Sequence, residues 1–474
     1  MESNGFLRYL LILISLIFFI GETLWGQSYF YNTQQFGMRS TLLGGSMIAG
    51  GEDLTMVYYN PAALRYVKNK SLNLALIVPS YGVNSFRDYF KAGTNTRDRD
   101  FNLNGNLLTL KTSIKKLDLV FTILKKTDWS NSIKYSGTSM TNNVQKDEAF
   151  YYSFSGGERW YGIGSHRSLN EHVSIGISHF WSAFNTKYSY VFQSEATDLL
   201  TKEKQEFFSE TLDLSYSSSF SMVTKIGLSI YQPKNRFGFV ITTPNYLPIS
   251  KSGSFEKTTI DLIQGDYNVI NIIDYKIDPE IKSPWEFKIG YSRLFPDSTD
   301  LSISASFNTR VPSYTIFTAS DVNEAPLQLK GEVKGIANVS FGISKKINPK
   351  LEFLSSFRTN FFAYKNKATR AGEQRMYILD ANKYQMVAGF KLDRDNSSIV
   401  IGIDWAFSAS KNYKIFKNFP NIERLDNKTN SKYTHNILTL MITYKFILDS
   451  VSRNINRILD DSSKRDGYKF RDDS

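Results

Sequence analysis

Few residues in this 474-residue chain have the types and spacing that catalysis or metal binding requires. The chain has no cysteine, which excludes a thiolate nucleophile, a thiolate metal site and a disulfide framework. Its four histidines are His166, His172, His179 and His435. His172 and His179 are seven residues apart, so on one strand they point to opposite faces and are poorly placed to share a metal ion. We expect no enzyme, no metal and no cofactor, although a fold can assemble an active site from distant residues.

Basic residues offer a second kind of chemistry, the binding of a carboxylate. Lys288, Arg358, Lys391 and Lys445 lie on the less apolar face of segments that alternate between apolar and polar residues. If that face lines an interior, these side chains point inward and could hold the head group of a carboxylate ligand. The competing interpretation is that they form internal salt bridges, since polar interiors are common in barrels.

The elements that position these residues show a period of two from about residue 70 to 446. In each segment one face is apolar and the other carries small or polar residues, as expected for strands with one apolar side. Examples of the apolar face are Leu72–Leu74–Leu76–Val78, Val173–Ile175–Ile177, Leu301–Ile303–Ala305–Phe307, Ile399–Ile401–Ile403–Trp405–Phe407 and Leu438–Leu440–Ile442–Tyr444–Phe446.

The connections between these segments alternate in length. Short turns are predicted near 113–116, 167–171, 232–236, 296–299, 345–350 and 394–396, and long polar loops near 83–105, 128–146, 194–207, 248–282, 313–331, 364–382 and 409–431. Six short turns and seven long loops predict an all-β fold, a transmembrane β-barrel of about 14 antiparallel strands with short periplasmic turns. Residues 254–277 also look strand-like and are interpreted as a hairpin within a loop, since a closed barrel favours an even count. A soluble all-β sandwich is the alternative architecture.

Composition agrees with a barrel in a membrane. Aromatic residues make up 15% of the chain, with 28 Tyr and 35 Phe, while mean hydropathy is only −0.30. This combination is typical of aromatic girdles around an apolar band with a polar interior. The formal net charge is +12, but the basic residues are scattered and form no patch. Nucleic acid is therefore not an expected partner, whereas the anionic head groups of outer-membrane lipids are expected partners.

The two ends of the chain differ from the barrel pattern. Residues 1–26 are predicted to be a signal peptide, because Arg8 precedes an apolar run, Leu10–Ile20, that is too short to span a membrane. Residues 447–474 change to helical spacing and a charged end, which predicts a periplasmic C-terminal helical tail and a possible site for a periplasmic or secretion partner.

Between the signal and the first strand lies the segment Asp53–Leu64, which contains Asn60-Pro61-Ala62. Asn-Pro is a turn or breaker pair, and the nearby Gly44-Gly45 and Gly50-Gly51 allow an irregular backbone. The segment resembles the signature of the outer-membrane transporters of hydrophobic compounds, the FadL/OmpP1/TodX family. The stretches Gly238–Pro244 and Ser283–Tyr291 look like strands of that family.

The resemblance implies an N-terminal hatch, residues 27–69, inside a barrel, residues 70–446, in the bacterial outer membrane. It implies passive uptake of hydrophobic compounds such as long-chain fatty acids, which pass the hatch and leave through a lateral opening. Asn60, Pro61 and Ala62 match the hatch motif, and Gly156-Gly157 could mark a strand kink at the lateral opening. A second interpretation is a barrel subunit that docks or shuttles proteins in bacterial secretion.

Overall fold

The computed structural model describes residues 35–67, 71–75, 78–88, 95–104, 107–114, 117–263, 266–319, 327–365, 373–374, 381–411 and 432–447. The predicted signal peptide and all but the first residue of the C-terminal tail lie outside these ranges. The helical elements are α1 (Arg39–Leu42), η1 (Met47–Ala49), α2 (Met56–Tyr59) and η2 (Pro61–Tyr66). Within the described part of the chain, no helix has the length and apolar character needed to cross a membrane.

In the described ranges, twenty-one strands follow the helical segment. They are β1 (Ser71–Ala75), β2 (Val78–Arg87), β3 (Asn95–Asn104), β4 (Leu107–Ile114), β5 (Leu117–Thr141), β6 (Val144–Ser168), β7 (Val173–Asp198), β8 (Lys204–Tyr231), β9 (Asn235–Thr242), β10 (Ser250–Ile263), β11 (Asp266–Asp274), β12 (Glu286–Leu294), β13 (Thr299–Asn308), β14 (Val311–Ala319), β15 (Leu327–Val333), β16 (Ile336–Asn348), β17 (Leu351–Asn360), β18 (Glu373–Gln374), β19 (Lys383–Arg394), β20 (Ser397–Lys411) and β21 (Lys432–Ile447).

Fourteen antiparallel strands close a barrel, as predicted. β1 and β2 together form the first strand of the wall, and β3 and β4 the second. The last strand, β21, pairs with β1 and β2, which closes the sheet into a barrel. The other wall strands are β5, β6, β7, β8, β9, β12, β13, β16, β17, β19 and β20.

Five of the six predicted short turns are confirmed in the described residues, and they lie together at one end, here called the short-turn rim. They have two to four residues and connect β6–β7, β8–β9, β12–β13, β16–β17 and β19–β20, while the turn predicted near 113–116 falls partly outside the described ranges. The opposite end is called the long-strand rim. The segment predicted as a hairpin within a loop forms β10 and β11. β10 pairs with the half of β8 that lies nearer the long-strand rim.

Several segments predicted as loops are instead continuous strand. β5, β6, β7 and β8 have 25, 25, 26 and 28 residues, where about 9–11 suffice to cross a membrane. The predictions of loops near 128–146 and 194–207 were wrong for most of their length. The reason is that these strands continue beyond the membrane, where polar residues are tolerated on the outer face while the pairing persists.

The alternation predicted from sequence separates two environments. Ile175, Ile177, Ile303 and Phe307 are 43–55% exposed on the outer surface, whereas intervening residues such as Ser302 are buried. Aromatic residues lie on the outer face about 9–11 residues from the short-turn rim, as in the girdle of a membrane barrel: Tyr81, Trp285, Phe307 and Trp405.

Candidate functional site

Residues 35–67, called the hatch below, lie inside the barrel and are almost entirely buried. They sit near the short-turn rim: the Arg65 guanidinium donates to the Glu171 carbonyl over 2.8 Å, and Tyr66 packs on Tyr231. Gly44, Gly45 and Gly50 have positive φ angles, so the irregular backbone predicted for this segment is confirmed at these positions.

The predicted Asn60-Pro61-Ala62 motif is the N-terminus of η2. The Asn60 side-chain carbonyl accepts from the Ala62 N–H at 3.1 Å, and Pro61 occupies the first helical position, where no donor is needed. The Asn60 amide donates to the carbonyl of Ile48 at 2.8 Å and to that of Leu228, on β8, at 3.1 Å. One buried side chain therefore ties two parts of the hatch to each other and to the wall.

The wall approaches this motif through glycines. A Cβ atom on Gly176 would lie 2.3 Å from the carbonyl carbon of Pro61, and one on Gly227 would lie 2.1 Å from the side-chain oxygen of Asn60. Similar approaches of 3.0 Å or less to hatch atoms occur at Gly164, Gly238, Gly290, Gly342, Gly389 and Gly402. A belt of glycines on eight strands thus lets the hatch pack directly against the wall, with its backbone at Gly176, Gly238 and Gly290 and with its side chains at the other five.

A buried carboxylate organises the start of the hatch. Oδ2 of Asp53 accepts from the backbone N–H of Met38 at 2.7 Å and of Arg39 at 3.1 Å, while Oδ1 accepts from the Thr55 hydroxyl at 2.8 Å. Nearby, burial raises the pKa of the Tyr59 phenol, which therefore stays protonated and donates to Gln35. Sequence reasoning included Asp53 in the motif but assigned it no role, because these partners are contributed by residues distant in sequence.

Of the four predicted head-group cations, two line one cavity beside the hatch. Lys288 and Arg358 border a cavity of about 30 Å³ together with Tyr58 and Tyr59. Both are already in ion pairs, Lys288 with Glu286 at 3.0 Å and Arg358 with Asp404 at 3.5 Å. The geometry is that of the competing interpretation, internal salt bridges, and the cavity as it stands is about the size of one water molecule.

The other two cations lie elsewhere. Lys391 pairs with Asp393 at 2.6 Å and lies 3.9 Å from Glu352, which also binds Arg39 of the hatch at 2.7 Å. Lys445 lies on the inner face at the same rim, on β21. Lys391 belongs to an ionic network between hatch and wall, and neither lysine lines the cavity.

A lysine that sequence reasoning missed is more closely joined to the hatch. Lys225 on β8 is 1% exposed; its ammonium lies 3.4 Å from Glu286 and 4.6 Å from the ring centroid of Tyr58. Lys288 approaches the same ring at 5.7 Å. The alternation of residues around Lys225 could have predicted that its side chain points inward. Its pairing with Glu286 could not be predicted in this way, because Glu286 is 61 residues away in sequence.

Between the hatch and the long-strand rim, the interior is filled by a large apolar cluster, called the aromatic chamber below. Fifteen of its 28 buried residues are aromatic, which distinguishes it from the polar interior usual in barrels. Tyr188 is at its centre, with ring centroids 5.6 Å from Tyr152 and 6.2 Å from Phe154. The hairpin β14–β15 contributes Phe317, which packs on Phe255 of β10.

The wall beside the hatch has a gap in its hydrogen bonding. The pairing of β4 with β5 ends at Leu107 and Leu124; above this point, among the described residues, β3 pairs with β2 alone and β5 with β6 alone. A side-chain hydrogen bond of 2.8 Å from Ser132 to Asp98 crosses the gap. The gap starts next to a β-bulge at Lys126, where the register of β5 on β6 shifts.

The predicted irregularity at Gly156-Gly157 is therefore displaced to the adjacent strand. β6 pairs in continuous register on both sides through these glycines, which lie opposite Trp129 and Asp128 of β5. Glycine permits a bend but does not impose one, and here the extra residue of β5 supplies it. The Lys126 ammonium binds Glu158 at 3.0 Å, so the bulge is anchored to β6.

Residues that could hold a metal ion do not converge: the described ranges contain no group of three or more histidines and carboxylates at ligating distance. His172 faces the Tyr231 carbonyl in a short turn, whereas His435 lies on the inner face beside Tyr433. The arrangement as a whole is that of a barrel with residues 35–67 packed inside it, an aromatic chamber and a wall gap.

Comparison with known proteins identifies this arrangement as a known fold. No family model matches the chain, and no curated protein sequence matches it. Solved structures do match. The toluene transporter TbuX of Ralstonia pickettii is 11% identical, with a TM-score of 0.51 over 88% of this chain and 99% of its own. The toluene transporter TodX of Pseudomonas putida is 10% identical, with a TM-score of 0.53 over 87% and 99%. A FadL homologue of Pseudomonas aeruginosa is 10% identical, with a TM-score of 0.50 over 90% and 100%.

At this level of identity the matches concern the fold. The chain has the fold of the FadL-type outer-membrane channels, and the resemblance that the Asp53–Leu64 segment indicated is confirmed at that level. The closed barrel with its apolar outer band is a protein of the bacterial outer membrane.

Proposed function

We propose that this barrel takes up small hydrophobic compounds across the outer membrane. The observation that carries the proposal is the aromatic chamber, which ends at the hatch and beside the wall gap. An interior of this kind offers an apolar solute favourable burial, about 25 cal/mol per Å² of apolar surface, where a water-filled porin lumen offers none. Solved structures of the same fold include two toluene transporters, which is consistent with apolar cargo.

In the proposed pathway the solute enters the chamber from the long-strand rim and leaves sideways between β3 and β5 into the bilayer. Such a route avoids both the polar short-turn rim and the ionic network under the hatch. The hatch would have to shift, because its aromatic residues close the lower end of the chamber. No energy source is required, since transfer into lipid is downhill for an apolar compound. Aromatic hydrocarbons and long-chain fatty acids are both proposed cargo classes.

The test is to close the gap. Because the chain lacks cysteine, Asp98→Cys/Ser132→Cys introduces a unique pair that a short, reducible bifunctional thiol reagent can bridge across β3 and β5. Cells producing this variant are assayed for uptake of a labelled alkylbenzene, a labelled long-chain fatty acid and a labelled disaccharide. We expect cross-linking to stop uptake of a hydrophobic compound and reduction to restore it, with no disaccharide uptake in any state.

The matched control is Ser153→Cys/Ser189→Cys, which bridges β6 and β7 where they are already paired. Cross-linking there should leave uptake unchanged. Unchanged uptake in the cross-linked gap variant would contradict the lateral route. No hydrophobic uptake by the native chain, together with a stoichiometric protein partner on purification, would favour the secretion-docking alternative.

A further inference from the structure

Strand β3 divides its charges between its two faces. In the sequence Arg97-Asp98-Arg99-Asp100, the aspartates face the interior and the arginines are exposed on the outer surface, and Asp98 also accepts from Ser132 across the wall gap. Residues two apart on a strand share a face, so this pattern makes the outside basic and the inside acidic.

The outer face formed by β3, β2 and β21 continues this basic character. Arg97 lies beside Ser85 and Arg99 beside Val83, while Arg87 is directly opposite Lys432. Twelve outward positions on these strands include four basic residues and no acid: Asn95, Arg97, Arg99, Phe101, Tyr81, Val83, Ser85, Arg87, Lys432, Thr434, Asn436 and Leu438. Arg87, Arg97, Arg99 and Lys432 are called the basic face below.

Like charges placed directly across a strand pair repel each other, so the Arg87–Lys432 pair is unfavourable without an anion. Asp88 forms an ion pair with Arg87 over 3.5 Å. The Arg87 side chain is nevertheless 73% exposed, so most of its guanidinium remains accessible to a further anion. Arg87, Arg97 and Lys432 line one surface cleft with Ser85 and Thr434, which adds hydroxyl donors.

The position of the basic face along the barrel axis can be compared with the edge of the apolar band. Its lower border is the row Phe101–Tyr81–Leu438, whose side chains are 64%, 45% and 52% exposed. Leu438 is eight residues from Phe446, near the short-turn rim, and a tilted strand needs about 9–11 residues to cross the hydrocarbon core. The apolar band therefore ends where the basic face begins, at the level of the lipid head groups on the long-strand side.

We propose that the basic face binds the phosphate groups of an anionic lipid in the outer leaflet, with the acyl chains of that lipid on the apolar row below. Guanidinium groups bind phosphate in a bidentate manner, and two arginines on one strand present two such forks. The site depends on the orientation of the barrel in the membrane and is independent of the cargo. A lipid held here would also border the wall gap, because β3 forms one side of it.

The experiment compares the native chain with Arg97→Gln/Arg99→Gln, purified in neutral detergent and titrated with bisphosphorylated lipid A under native mass spectrometry. The control is Lys134→Gln/Lys187→Gln, which removes the same charge from outward positions on β5 and β7. We expect the arginine variant to bind lipid A about tenfold more weakly, and the lysine variant to stay within about twofold of the native chain. Heat-modified migration on gels verifies that each barrel is folded.

Two further probes identify what is recognised. Lipid A lacking both phosphates should bind the native chain and the arginine variant equally weakly, and inorganic pyrophosphate at the same concentration should not compete with lipid A. Equal binding of lipid A by the native chain and the arginine variant, or equal binding of the dephosphorylated lipid, would overturn the proposal. Full competition by pyrophosphate would identify a site for free phosphate and overturn the assignment to lipid.

Discussion

The ammonium of Lys225, on the wall, lies 4.6 Å from the ring centroid of Tyr58, on the hatch. Lys225 also donates to Thr242 at 3.1 Å and pairs with Glu286, so its position is fixed from the wall side. The aromatic ring of Tyr58 and the amide of Asn60 are thus two of the attachments between hatch and wall, beside the contacts of Arg39 and Arg65. Movement of the hatch requires these attachments to break.

Lys225→Met should weaken the attachment of the hatch through the ring of Tyr58. Methionine keeps the apolar stem but removes the cation, and a desolvated cation–π contact is worth about 2 kcal/mol. Glu286 retains Lys288 as a partner. We expect amide hydrogens of Met56–Tyr59 to exchange about tenfold faster, measured by hydrogen–deuterium exchange. Lys345→Met, which removes a lysine paired with Asp297 in an exposed turn, is the control and should leave this exchange rate unchanged.

Asn60→Ala should weaken the attachment of the hatch through the Asn60 amide. It removes the N-cap of η2, worth about 1 kcal/mol, and leaves the carbonyls of Ile48 and Leu228 without their donor. Faster exchange of the amide hydrogens of Ala62–Tyr66 is expected, with the barrel strands unaffected. Asn170→Ala, at an exposed turn where Asn170 caps Val173, is the matched control. Protection of η2 equal to that of the native chain would show that the amide does not hold the hatch.

Gly176→Ala tests whether the glycine belt is needed to seat the hatch. The new Cβ would lie 2.3–2.5 Å from backbone atoms of Pro61 and Ala62, which cannot rotate away, and such overpacking costs about 1–3 kcal/mol. We expect a displaced hatch and a larger single-channel conductance in planar bilayers. Gly335→Ala, whose nearest neighbours would be 3.6 Å away, should conduct as the native chain does.

The strands and turns of the wall could largely be predicted from the sequence. The wall was predictable because residues such as Ile303 and Ser302 differ in exposure with a period of two, which is a local property. The five short turns that the structure describes were predictable for the same reason, since turn chemistry is contained in a few neighbouring residues. Strand extensions such as 128–141 were misjudged because polarity alone does not distinguish a loop from a strand surrounded by water.

The site was less accessible, because it depends on contacts between distant residues. Asn60 could be identified from its motif, but its bond to Leu228 spans 168 residues. Lys225 acquires a role only when two strands bring it to Glu286 and the hatch brings the ring of Tyr58 to it. A strand kink was predicted at Gly156-Gly157, where composition pointed, whereas the register shift in this part of the wall lies at Lys126 of the adjacent strand, in a segment with no glycine.

Tyr188 offers a direct test of the aromatic chamber. Its ring contacts Tyr152, Phe154 and Tyr190, and each such aromatic pair is worth about 0.5–1.5 kcal/mol beyond the area it buries. Tyr188→Phe keeps the ring and should retain the binding of a hydrophobic fluorescent probe to within about twofold. Tyr188→Asn replaces the ring by an amide and should weaken that binding about tenfold. Thermal unfolding of both variants separates a loss of binding from a loss of fold, because a barrel that unfolds as the native chain does but no longer binds the probe has lost the chamber alone. Equal binding by the two variants would mean that the ring of Tyr188 does not contribute to recognition of apolar compounds.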